Sequence, residues 1–203
     1  MNWRIAISAL LAIAASSEFC FAADPRYPDW PCAQAKVPEI SLAAVWAGPP
    51  LDDVADKWKD DAKVSTLVAK LAARRTPLEE AQKDITEFLA GSAEKTAAGK
   101  LLFAGLFDTL NAQRASVMNG LERVTRKQRE AAEKIRSDTL ALQALQDASP
   151  PEQTKIDELG NQLVWETRIF DDRRQVVKFV CEVPTTIEQR LFALGRTIQQ
   201  EME

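Results

Sequence analysis

The chain contains no histidine, and of its 203 residues only seven are glycine, three cysteine and one tyrosine. Without imidazole there is no Ser-His-Asp or Cys-His catalysis, no His-ligated zinc or haem, and no histidine pH switch. A di-iron bundle built on Glu-x-x-His is excluded on the same ground. The shortage of glycine argues against a turn-rich β architecture. No Walker loop, Gly-rich dinucleotide turn, Gly-x-Ser-x-Gly elbow or EF-hand spacing occurs. Basic and acidic residues number 26 and 30, a net charge of −4 that supplies no global attraction toward nucleic acid. What the chain has in abundance is the helix-forming set Ala, Leu, Glu, Lys, Gln and Arg, so the expected fold class is all-α.

The N-terminus carries a different pattern. Met1 to Arg4 is a short basic start, and Ile5 to Ala15 is an apolar run of about 11 residues, too short to span a bilayer. Small residues at Cys20 and Ala22 then place an export-signal cleavage after Ala22. A lipoprotein reading of Cys20 lacks the small residues it needs, because Glu18 and Phe19 precede it. Residues 1–22 are therefore expected to be a signal peptide, and the mature chain is expected to be periplasmic or secreted. Only Cys32 and Cys181 then remain, and an even pair in an oxidising compartment predicts one structural disulfide. A redox-active pair would need Cys-x-x-Cys proximity, which is absent.

Residues 23–50 hold six of the ten prolines, and proline pushes the residue before it away from helix. Tyr27, Trp30, Val37, Ile40, Leu42, Val45 and Trp46 make this stretch too apolar for a disordered tail. The expectation is an extended strap lying in a groove of the folded body, with a short helix around 39–46. A second reading makes it a partner-binding arm anchored by Trp30 and Trp46.

From Leu51 onward the apolar period is helical. Leu51, Val54, Ala55 and Trp58 share one face, and Val64, Leu67, Val68 and Leu71 repeat that spacing. Thr76-Pro77-Leu78-Glu79 reads as a capping box opening a helix that Gly91 stops. Ala93 to Ala148 has no proline and predicts one helix of roughly 80 Å. Its first part, around Leu101, Leu102, Phe103, Leu106 and Phe107, is apolar nearly all round and so buried on most sides. Beyond it, Val117, Leu121, Val124, Gln128, Ala131, Ile135, Asp138, Leu142 and Leu145 alternate steps of four and three, the spacing of a coiled-coil seam.

After Pro150 and Pro151 a complementary seam follows at Ile156, Leu159, Leu163, Glu166, Phe170, Arg173, Val177 and Val180. Two long helices joined by so short a break should fold back antiparallel, setting Leu142 near Leu159, Ala131 near Phe170 and Val124 near Val177. Pro184 is expected to end this helix, with Thr185-Thr186-Ile187-Glu188 capping a last one. The expected organisation of 23–203 is a single all-helical domain. Residues 51–114 and 185–203 form a helical base, 115–182 form a projecting hairpin, and the strap is pinned at its root.

The remaining chemistry is sparse. Adjacent acidic pairs at Asp52-Asp53, Asp60-Asp61, Glu79-Glu80 and Asp171-Asp172 point about 100° apart on a helix and do not converge on a substrate. The basic run Arg123, Arg126, Lys127, Arg129, Lys134 and Arg136 is interleaved with Glu122, Glu130, Glu133 and Asp138, the pattern of a solvated outer face. Arg173 and Arg174 beside Asp171 and Asp172 fit either register-fixing ion pairs or surface pairs worth under about 1 kcal/mol. Trp165, with Val164, Ile169 and Val176, widens the apolar face of the hairpin beyond what a seam needs.

These features point away from an enzyme and from any cofactor or metal. They favour an exported protein-interaction module, an adaptor, assembly factor or chaperone-like binder, with Trp165, Ile169, Val176 and Trp30 as contact residues for a protein partner or for self-association. The alternative is a small-ligand or lipid carrier, with a pocket formed by Trp46, Trp58, Phe103 and Phe107 between strap and base. No membrane span is expected in the mature chain.

Overall fold

A computed structural model describes residues 24–203, so the expected signal peptide at 1–22 lies outside the described residues. The fold is all-α: α1 (Leu42–Val45), α2 (Ala62–Ala72), α3 (Leu78–Ala90), α4 (Lys95–Asp147), α5 (Gln153–Val180) and α6 (Val183–Met202). Among the described residues there is no strand, and no helix is long and apolar enough to cross a membrane.

The base forms around the apolar first half of α4. Phe103, Leu106 and Leu110 of α4 are fully buried against Leu71 of α2, Ile85 and Leu89 of α3, and Leu191, Leu194 and Ile198 of α6. α6 lies antiparallel to α4, with Ile198 and Met202 beside Gly99, Gly195 beside Phe103, and Glu188 beside Arg114. α5 takes over the same side of α4 beyond this point. The Gln128 amide donates to the Phe170 carbonyl at 2.9 Å, and Lys134 reaches Glu166 at 2.7 Å. The long helix is thus flanked first by α6 and then by α5, with the chain breaking at Cys181 and Glu182.

Local signals account for the other boundaries. The Asp61 carboxylate accepts the N–H groups of Lys63 and Val64, satisfying two of the donors that open α2. Gly91 closes α3.

Three local expectations are corrected. Leu51 to Trp58 is not an α-helix but a run of turns leading to one 3-10 turn at Lys57–Lys59. Leu51 is nonetheless buried and Trp58 packs on the core, so the apolar spacing reports burial without helix. The capping box at Thr76 does not form. Pro77, at φ −55° and ψ 145°, occupies the cap position, and the Thr76 hydroxyl donates to the Lys70 carbonyl at the end of α2. Pro184 does not terminate a helix; it sits in the first turn of α6, where its missing N–H has no intrahelical partner to lose.

Two glycines make this packing testable. A Cβ on Gly195 would lie 2.7 Å from the Phe103 ring and 3.0 Å from the Val45 carbonyl, both held by the core. A Cβ on Gly160, inside α5, would meet nothing within 4 Å. G195A is expected to lose about 2 kcal/mol through overpacking, and G160A to gain about 0.5–1 kcal/mol from helix propensity. Urea denaturation of the two variants reads opposite shifts of midpoint; shifts of the same sign would contradict this packing.

Candidate functional site

The N-terminal segment is held against α4 and the end of α5 by polar contacts. Cys32 and Cys181 form the expected disulfide, with Cα atoms 5.5 Å apart. Beside it the Gln34 amide donates to the Cys181 carbonyl, and the Trp30 indole N–H donates to the Gln34 carbonyl at 2.7 Å. Trp30 is therefore half-buried at this junction, with its polar edge turned into its own segment. Lys36 pairs with Glu122 and lies over the Tyr27 ring. Asp29 accepts from both Arg126 and Arg129. These two members of the basic run thus hold the segment and are not simply a solvated face.

The centre of this attachment is Arg114, whose side chain is only 3% exposed. Its Nε donates to Glu188 at 2.6 Å, Nη2 to the Val37 carbonyl at 2.6 Å and Nη1 to the Pro38 carbonyl at 3.2 Å. The planar guanidinium joins three separate parts of the chain through one fork of donors. Sequence reasoning missed this residue. Its one signal is a charge on the inward face of α4, four positions before the buried Met118.

Of the four aromatic residues considered as pocket walls, Trp46, Phe103 and Phe107 pack on one another and Trp58 lies apart from them. Trp46 stacks on the fully buried Phe103 at 4.2 Å between centroids and 16° between planes, and Phe107 lies 6.3 Å from Phe103. The Trp46 indole N–H donates to the Pro49 carbonyl, and that of Trp58 to Asp108. The Trp58 ring lies so close over Gly105 that a Cβ there would stand 2.9 Å from it.

The flank of α5, beside the side that packs on α4, has the opposite character. None of its 28 residues is buried. Toward α4, Leu163, Glu166, Phe170, Val177 and Val180 are half-covered, whereas Arg173 is exposed. On this flank, Trp165 is 63% exposed, Ile169 44%, Val176 58% and Phe179 77%, with Ile169 and Val176 bordering grooves shared with α4. These four lie on one helical stripe, at steps of four, seven and three. Phe179 belongs with the sequence-derived residues and was not among them; its spacing of three from Val176 is the signal that would have found it. Asp171, Asp172, Arg173 and Arg174 are all exposed.

Beside the stripe, at the root of the α4–α5 pair, lies an open groove of about 670 Å³. Val117, Leu121, Val124, Val176, Val177 and Val180 form its apolar floor, and Arg123, Lys127, Arg173 and Asp172 its rim. Further out, Lys134 and the Gln162 amide hold the Glu166 carboxyl below the ordinary carboxylate range. Asp138 and Glu166 in turn raise Lys134. This polar cluster ties α4 to α5 where the apolar layers are interrupted. This surface offers apolar anchors with a charged rim. Comparison of the chain with protein-family models, curated proteins and solved structures finds no match in any of the three.

Proposed function

We propose that this chain is an exported, non-enzymatic protein-interaction module that works through the α4–α5 helical hairpin. The carrying observation is the contrast between a filled base and an uncovered α5. Soluble monomers rarely leave a contiguous row of large apolar side chains in water, and such rows mark contact surfaces. Trp and Phe anchors flanked by charge are the composition of an interface core with its rim. Export is supported by the Cys32–Cys181 bond, which persists in oxidising compartments, together with the basic-then-apolar N-terminal sequence. This reading places the mature chain in the periplasm or outside the cell. The carrier alternative would need Trp46 and Phe103, stacked at 4.2 Å between centroids, to part for a ligand.

The test is site-specific photocrosslinking in cells that express the full sequence. A photoreactive phenylalanine derivative at position 165 is expected to give discrete adducts, and the same group at Gln143, an exposed polar position on α4, none. Equal adduct patterns at both positions, or none at 165, would overturn the proposal.

A further inference from the structure

The geometry points to an acidic amphipathic helix of a partner protein as the occupant of the groove between α4 and α5. Its apolar face would lie on the valine-rich floor, with carboxylates one turn apart against Arg123 and Lys127. The inference rests on the reading of the hairpin as an interaction surface and names the chemistry of the partner.

The groove floor is open where a closed seam would be covered. Val124 is 37% exposed and Val176 58%, although Val124 occupies a seam position of α4. The apolar row continues along α5 through Ile169, which borders the next groove of the same helix pair, to Trp165. From Trp165 to Phe179 it runs about 21 Å, some four turns of helix. Two helices lying side by side leave a trough into which a third packs by the same ridges and grooves. The backbone groups of α4 and α5 are bonded within each helix. An extended segment laid on this floor would find no backbone partner, whereas a helix arrives with its own hydrogen bonds made. A single acyl chain would keep one side in water along so open a trough, unlike the enclosing sites that take small ligands.

The charge of the rim selects among helices. Arg123, Lys127 and Arg173 line the groove against one carboxylate, Asp172. Among the described residues, none of these three cations has an ion-pair partner. Arg126 and Arg129 of the same helix both hold Asp29, and Lys134 holds Asp138 and Glu166. The Arg123 guanidinium reaches back along α4, to within 3.8 Å of where a Cβ on Gly120 would stand, and Gly120 lines the same groove. Arg123 and Lys127 are one turn apart, so a helix with acidic residues at i and i+4 meets both. Charges at the rim of an interface set partner choice more than affinity, and here they admit an acidic helix and repel a basic one.

The experiment uses the purified, disulfide-bonded chain and two fluorescein-labelled helical peptides of about 18 residues, long enough to cover the row. Both carry leucines at helical spacing, and they differ only in having glutamates or lysines beside the leucines. Fluorescence anisotropy is expected to show the glutamate peptide binding about tenfold or more tightly than the lysine peptide. The double variant R123E/K127E should weaken the glutamate peptide about tenfold and strengthen the lysine peptide, with circular dichroism unchanged. V176D should weaken both. Equal binding of the two peptides, or binding of the glutamate peptide unmoved by R123E/K127E or by V176D, would overturn the inference. So would flotation of the chain with phosphatidylglycerol vesicles, lost in R123E/K127E, while neither peptide binds; that result assigns the groove to a lipid surface. In cells, R123E/K127E should remove the adducts at position 165. Adducts with another protein that persist in that variant keep the interaction role and remove the acidic helix, as do adducts between two copies of the chain. No adducts at 165 in the unaltered chain would remove both.

Discussion

Replacing Cys32 and Cys181 together by serine is expected to lower the stability of the chain by about 5 kcal/mol, the largest effect of any change considered for this fold. The two cysteines are 149 positions apart in the chain, so the bond closes a loop containing almost every helix. In the chain-entropy account, a crosslink removes conformations from the unfolded ensemble, and the gain grows slowly with loop length. About 5 kcal/mol is the upper end for a loop of this size. For a domain of this length it corresponds to a fall in Tm of roughly 10–15 °C. Hydrogen exchange should also show where the bond acts. Amides of residues 27–40 should lose protection first, because their remaining attachment is a few side-chain contacts. Those of α3, fixed to the base through the buried Ala81, Ile85 and Leu89 and distant in sequence from both cysteines, should change only with global stability. A serine variant that unfolds at the wild-type urea concentration would show that the bond is not a structural staple.

The second large effect is expected at Arg114. R114M should cost about 3 kcal/mol, because hydrogen bonds from a charged donor contribute about 1.5–3 kcal/mol each and three are lost together. The sum is not reached, since Val37 and Pro38 are exposed and their carbonyls can take up water when the guanidinium leaves. The ion pair itself is a minor part. The Glu188 side chain is 38% exposed, so its attraction to Arg114 is screened, and a double-mutant cycle between R114M and E188Q should give a coupling under about 1 kcal/mol. R114K should recover little, because one ammonium does not reach two carbonyls and a carboxylate in the geometry of the fork. Urea denaturation of the set checks the order: R114M and R114K close together, E188Q much milder. A mild R114M would mean that the disulfide and the contacts of Asp29, Gln34 and Lys36 hold the N-terminal segment without Arg114.

Much of the architecture was legible because helices are written locally. The spacing of Val64, Val68 and Leu71, or of Ala81, Ile85 and Leu89, depends only on how a 3.6-residue period meets an apolar environment, and each of these residues is buried. Where the local signal had two physical uses, it misled. Thr76 has a hydroxyl suited to capping α3, yet that hydroxyl donates to the Lys70 carbonyl, which also accepts from the Ala73 N–H, and so serves the end of α2 in place of the start of α3. Pro184 has the same missing N–H whether it stops one helix or opens the next, and the short break after α5 selected the second. At the candidate surface, Trp165, Ile169 and Val176 were readable as excess apolar width, and their exposure is the quantity the sequence does not contain.

That division is general for this molecule. The sequence by itself determined the all-α class, the positions of the long helices and the pairing of the two cysteines, because periodicity, helix propensity and cysteine count are properties of neighbours or of composition. Only the tertiary structure decided that Trp46 would stack on Phe103, that Arg114 would join Val37, Pro38 and Glu188, and that the apolar edge of α5 would be left without cover. In each case the reason is the same: periodicity reports that a side chain is apolar on one face, whereas burial depends on what distant parts of the chain bring against it.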